Sequence, residues 1–162
     1  MSLLREYIRE LLSEAAKGVE DLPEDTYVKI WKTGPEININ FSDANGNIYK
    51  TPIKGVVVIE PIDSYKWGNC AGAMRVSWAS AESGYGPLLY DVAMEYATIN
   101  GNGLISDRDA VSGEALNVWR YYLGNRSDVI SHQLDNLQGD LTPDNIEDDC
   151  NQDIVDIKSK IK

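Results

Sequence analysis

The residues best placed to do chemistry are Ser83-Gly84-Tyr85-Gly86-Pro87, a double-glycine turn between two patterned segments. Glycine takes positive φ without strain and lets the backbone come close to a ligand. A helix starting behind such a turn offers N–H groups with no intrahelical partner and the positive end of its dipole. Together these make an anion site, most often for phosphate. The same residues also suit a plain tight turn. No lysine follows the glycines, so the turn is not a Walker loop. His132 is the only histidine, which excludes a metal centre built on several, and no metal is expected. Cys70, in Trp67-Gly68-Asn69-Cys70, could pair with His132 as nucleophile and base, and both residues equally suit structural roles. No Gly-x-Ser-x-Gly elbow is present.

Chemistry at the turn depends on the elements around it. Met74 to Ala79 alternates like a half-buried strand. Leu88, Leu89, Val92, Ala93, Tyr96 and Ala97 repeat at helical spacing, predicting a helix from about Leu88 to Ile99, with Pro87 at its start. Gly103 to Asp107 reads as a second strand. Ala115 to Leu123 reads as a helix with Ser112 as N-cap. Two strands joined by a helix form a crossover unit. Upstream, residues 2–17 carry a helical apolar stripe that Gly18 ends. Tyr27–Trp31 and Ile37–Phe41 alternate as strands, and Lys54–Pro61 reads as a buried strand. Asn45-Gly46 predicts a type I′ turn. Its neighbours Asp43 and Asn47 invite a calcium reading that the glycine position and the missing closing Glu reject. Downstream, Asn125–Gln138 and Asn145–Lys162 have helical character. The second of these is rich in acids early and in lysines late.

The block Ser83-Gly84-Tyr85-Gly86-Pro87-Leu88-Leu89-Tyr90-Asp91 resembles the acyl-CoA-binding motif of the Gcn5-related N-acetyltransferase superfamily. Ala115–Leu123 resembles that family's second motif, an alanine-led helix carrying an aromatic residue near the acyl group. As a whole the chain is similar to small acetyltransferase-like proteins of bacteriophage type, over roughly residues 54–124. Ala81 stands where the family turn usually has Gln or Arg, and Trp119 stands where it has a tyrosine. The resemblance implies an α+β fold, a twisted, mainly antiparallel sheet flanked by helices. It also implies acetyl-CoA as co-substrate, held by Trp78, Ala79, Ser83, Gly84, Tyr85, Gly86, Leu88 and Trp119. Acyl transfer to an amine needs a polarised carbonyl, a base for the amine and an acid for the thiolate. Glu60 and Asp107, at strand ends, are the candidate bases, and Tyr121 and Tyr122 the candidate acids. All four also suit solvated or packing roles. The alternative is a non-catalytic protein of phage type that keeps the fold and binds a host or virion protein through its acidic surface.

Composition sets the outer bounds. The chain has 162 residues, 43% of them hydrophobic, and suits one domain. Within it, 1–25 is an N-terminal helix and turn, 26–124 the core, and 125–162 an acidic helical segment. Nine Tyr and four Trp against one Phe favour half-buried pockets and interfaces. A net charge of −11 should repel nucleic acid and anionic membranes and attract an amine, whether small molecule or protein. No segment is long and apolar enough to span a bilayer, and Arg5, Glu6, Arg9 and Glu10 interrupt any signal-peptide pattern. These features predict a cytoplasmic protein, in the host cytoplasm if phage-encoded. Cys70 and Cys150 would then be free thiols, although a fold-back of the C-terminal segment could pair them.

Overall fold

The computed structural model describes residues 16–62, 72–107 and 112–130. Five strands, β1 (Tyr27–Thr33), β2 (Glu36–Ser42), β3 (Gly55–Pro61), β4 (Met74–Ala81) and β5 (Leu104–Ile105), form one mixed sheet. They lie in space in the order they take along the chain. The first three pairings are antiparallel and β4–β5 is parallel, with helix α1 (Gly86–Asn100) as the crossover. Helix α2 (Gly113–Asn125) follows β5, capped by Ser112. The molecule is therefore of α+β class. The segments 2–15, 131–138 and 145–162, together with Cys70, His132 and Cys150, lie outside the described residues, as do the helices and the dyad read there.

The core follows from alternation. Ile37, Ile39 and Phe41 of β2, Val57 and Ile59 of β3, and Met74 and Val76 of β4 share one face. That face receives Leu89, Tyr90, Ala93 and Ala97, the buried stripe of α1. Ala93 and Ala97 are fully buried, so the helix lies close on the sheet. Burying each large apolar side chain is worth about 1.5–3 kcal/mol.

β4 carries one extra residue. Ile59 faces Val76 while Val58 faces Trp78, leaving Ser77 as a bulge. The bulge turns Trp78 away from the core, with 63% of its surface exposed, and brings Ala79 onto the face of Val57.

Two turns shape the strand connections, and the second differs from the type I′ form expected. β1 and β2 are joined by Gly34-Pro35, with Gly34 at φ 59° and proline's ring fixing its own φ. That pairing of angles is the type II′ form. Asn45-Gly46 does not make a type I′ turn, because Asn45 keeps negative φ and only Gly46 is left-handed, at φ 75°. The Asp43 carboxylate accepts from Asn45 N–H at 2.9 Å and from Asn47 N–H at 2.8 Å. Gly46 N–H donates to Asp43 O at 2.9 Å. This side-chain closure selects an ordinary turn followed by a left-handed glycine. The second strand of the crossover is also shorter than the Gly103–Asp107 read from sequence, because only Leu104 and Ile105 pair.

Candidate functional site

β4 runs straight into the glycine turn. Tyr85 N–H donates to Glu82 O at 3.0 Å, closing a turn whose third residue, Gly84, sits at φ 86°. A side chain there would be strained. The turn is clamped at both ends. Lys54 N–H donates to the Glu82 carboxylate at 2.8 Å, and Glu82 N–H donates to Lys54 O at 3.0 Å. Lys17 N–H donates to Gly84 O at 3.0 Å, and its ammonium sits 4.1 Å over the Tyr85 ring. That ring is buried, edge-on to Phe41, and its hydroxyl donates to Asp21 O at 3.2 Å. Residues 16–22 thus strap the turn to the body.

Helix α1 opens beside this strap. Tyr85 occupies the N-cap position without a side-chain hydrogen bond, Pro87 lies in the first turn, and that turn holds no acidic residue. Tyr85 N–H is spent within the turn and Pro87 has none. Gly86 and Leu88 therefore present N–H groups that no side chain among the described residues caps. A Cβ on Gly86 would touch only Ala81 Cβ, at 3.8 Å, so the fold itself does not demand glycine there.

The edge of β4 leads to the same place. β5 pairs with it only at Met74–Leu104 and Arg75–Ile105, whereas β4 continues to Ala81. From Val76 onward that edge has no strand partner among the described residues. An open backbone edge of roughly 20 Å thus ends at an uncapped helix N-terminus.

A shallow cavity of about 310 Å³ flanks the first turn of α1, lined in part by Lys17, Glu20, Leu88, Asp91, Tyr121 and Arg126. Tyr122 O–H lies 2.6 Å from Asp91 Oδ1 and 2.8 Å from Pro87 O. Arg126 bridges Asp91 at 2.9 Å and Asp128 at 2.6 Å. Burial first, then the hydrogen bond to Asp91, pushes the Tyr122 hydroxyl well above its ordinary pKa. The Arg126 guanidinium holds Asp128 down to about 2.

The structure gathers some of the candidate residues around the start of α1 and places the others elsewhere. Ser83, Gly84, Gly86, Leu88, Tyr121 and Tyr122 gather around the start of α1. Tyr85 belongs to the turn by its backbone and to the core by its ring. Trp78 and Ala79 lie on the open stretch of β4. Trp119 packs edge-on to Tyr90, with ring centroids 5.6 Å apart. Asp107 follows the last β5 pair by two residues, where β5 leaves β4. Glu60 stands apart from the turn and is ion-paired with Arg75. Lys17, Asp91, Arg126 and Arg75 were not singled out from the sequence. Asp91 lies one helical turn after Pro87, but nothing in the chain pattern links it to Tyr122 and Arg126. Among the described residues no three His, Cys, Asp or Glu side chains converge as metal ligands. No helix among them is long and apolar enough to cross a membrane.

Fold and site together define an α+β protein with an open strand edge feeding an uncapped helix. Comparison with family models, with curated proteins and with solved structures finds no match to this chain.

Proposed function

We propose that the protein binds an acyl-CoA and transfers its acetyl group to an amine. One observation carries the proposal: among the described residues, the edge of β4 has no strand partner after Arg75 and runs to two uncapped N–H groups at Gly86 and Leu88. Acetyl-CoA has the complementary parts, a pyrophosphate and an arm bearing amide groups. The pyrophosphate suits a helix N-terminus approached through glycines. The arm suits a strand edge, where its amides continue the backbone ladder. The thioester would then lie near the divergence of β4 and β5, where backbone N–H groups polarise its carbonyl. The amine nitrogen bonds to the acyl carbon, the C–S bond breaks, and the amine's proton passes to a base. Asp107, beside the divergence, is the proposed base, and solvent protonates the departing thiolate, because Tyr121 stands beside Leu88 and Asp91 at the phosphate end of the edge. Glu60 is held by Arg75, and Tyr122 shares its proton with Asp91, so their proposed roles are to position β4 and α1.

Those same two engagements favour the second reading, a non-catalytic binding protein. Glu60 and Tyr122, two candidate proton carriers, are engaged within the fold by Arg75 and Asp91. The acidic residues Asp144, Glu147, Asp148, Asp149, Asp153 and Asp156, which that reading would use, lie outside the described residues. Calorimetric titration with CoA and acetyl-CoA separates the two readings. Saturable heat with both is the expected result. No heat at millimolar ligand overturns the enzyme reading and leaves the binding one.

A further inference from the structure

We propose that β1 is a self-pairing edge, and that two copies of this chain join there into one continuous sheet. β1 is the outermost strand, and among the described residues nothing pairs with its outer side. Six of its seven residues are exposed, including Tyr27 at 51%, Ile30 at 44% and Trp31 at 38%. An exposed edge this apolar is a template for another strand.

Register identifies the occupant. The two-residue turn at Gly34-Pro35 makes Thr33 and Glu36 a hydrogen-bonded pair. Antiparallel pairs alternate between bonded and non-bonded, so Val28, Ile30 and Lys32 turn their N–H and C=O groups outward. Antiparallel pairing of β1 with itself about a two-fold axis at Ile30 engages all seven residues. It bonds Ile30 to its own copy and Val28 to the copy's Lys32. It also sets Lys29 beside the copy's Trp31, a cation facing an indole. No like charges stand directly opposite. An axis at Lys29 would oppose two ammonium groups, and an axis at Trp31 would leave Tyr27 without a partner. Lysines on an edge normally discourage pairing, but in this one register each meets an apolar residue of the copy.

The edge is also pre-organised. Lys29 Nζ donates to Gly46 O at 2.9 Å, and Trp31 Nε1 donates to Asn40 Oδ1 at 3.1 Å. Both side chains are held before a partner arrives, which lowers the entropic cost of association.

The test is sedimentation equilibrium of the full chain over a concentration series, at moderate salt because each copy carries the same net charge of −11. The wild type should approach twice the 18.0 kDa chain mass. Ile30→Lys puts like charges on the axis, and Ile30→Pro removes an outward donor that β2 does not use. Both should remain monomeric while keeping wild-type circular dichroism. An independent measurement covers poor folding of either variant. In a Cys70→Ser, Cys150→Ser background, Ile30→Cys should cross-link to its copy on mild oxidation, since bonded antiparallel pairs have Cα atoms about 5.5 Å apart. Tyr27→Cys, facing Thr33 of the copy, should not. A wild type that stays at monomer mass, a dimer indifferent to folded Ile30 variants, or cross-linking at Tyr27→Cys and not at Ile30→Cys would overturn the proposal.

Discussion

The two helices begin in opposite ways. At α2, Ser112 accepts from Ala115 N–H at 3.2 Å, and Glu114 adds a carboxylate to the first turn. Hydrogen bonds from its own backbone and from Ser112 hold that carboxyl below its ordinary pKa. At α1 the N-cap is a tyrosine whose ring is committed to the core, and neither cap nor acid meets the free donors. The Asp43 loop resembles α2 in this respect, since its own carboxylate gathers the N–H groups of Asn45 and Asn47. Among the described residues, the chain closes exposed backbone donors with its own oxygens at α2 and at the Asp43 loop, and no side chain does so at the start of α1. Among the described residues, the open place also adjoins a stretch of the β4 edge without a strand partner. An external anion would do at α1 what Ser112 and Asp43 do elsewhere.

The largest expected effect breaks the contrast outright. Gly86→Val should abolish CoA binding in calorimetry, because its side chain would stand where the phosphates approach. It should shift stability by no more than about 0.5 kcal/mol, given the free space around that Cα. Wild-type affinity in this variant would remove the anion from α1.

Raising the pH should next separate the helices. Burial pushes Tyr90 up to about 12, and Tyr122 is raised as well. Unfolded tyrosines ionise near 10, so the unfolded chain loses protons first. Stability should be whole below about pH 10 and decline as the pH rises toward 12. Melting curves across that range test this, and Tyr90→Phe should flatten the decline. A flat profile for the wild type would show that these rings are not buried as described.

Smaller effects sharpen the comparison. Gly84→Val forces a branched side chain to φ 86° and should cost about 2 kcal/mol in urea unfolding. Ser112→Ala removes the cap of α2 and should cost about 1 kcal/mol, with CoA binding unchanged. A loss of binding in the Ser112 variant would mean that the two helix starts are not independent.

Much of the frame was legible because it is written in local patterns. The apolar period after Pro87 gave α1 to within two residues at its start and one at its end, and Ser112 caps α2 as its position implied. Asn45-Gly46 misled because the turn is chosen by Asp43, whose carboxylate competes for the same backbone donors. Gly34-Pro35 went unremarked although it stands between two alternating runs. The bulge at Ser77 left no mark in composition, since it arises only when β4 is laid against β3. The associations of Tyr122 with Asp91 and of Glu60 with Arg75 span 31 and 15 residues, and no one-dimensional pattern encodes them. The turn's conformation and the helix behind it could be read locally, while the state of each candidate acid and base depended on partners brought in by the fold.

Strand order has a consequence for how the protein forms. Every neighbour in the sheet is also the next strand along the chain. Each strand can therefore find its partner as soon as it leaves the ribosome, without waiting for distant sequence. Pairings this local fold fast for a sheet protein and spend little time with an exposed edge. The exception is β5, which must wait for a whole helix to form and then gains only two pairs. The wedge beside β4 should be the last part of the molecule to assemble and the first to open.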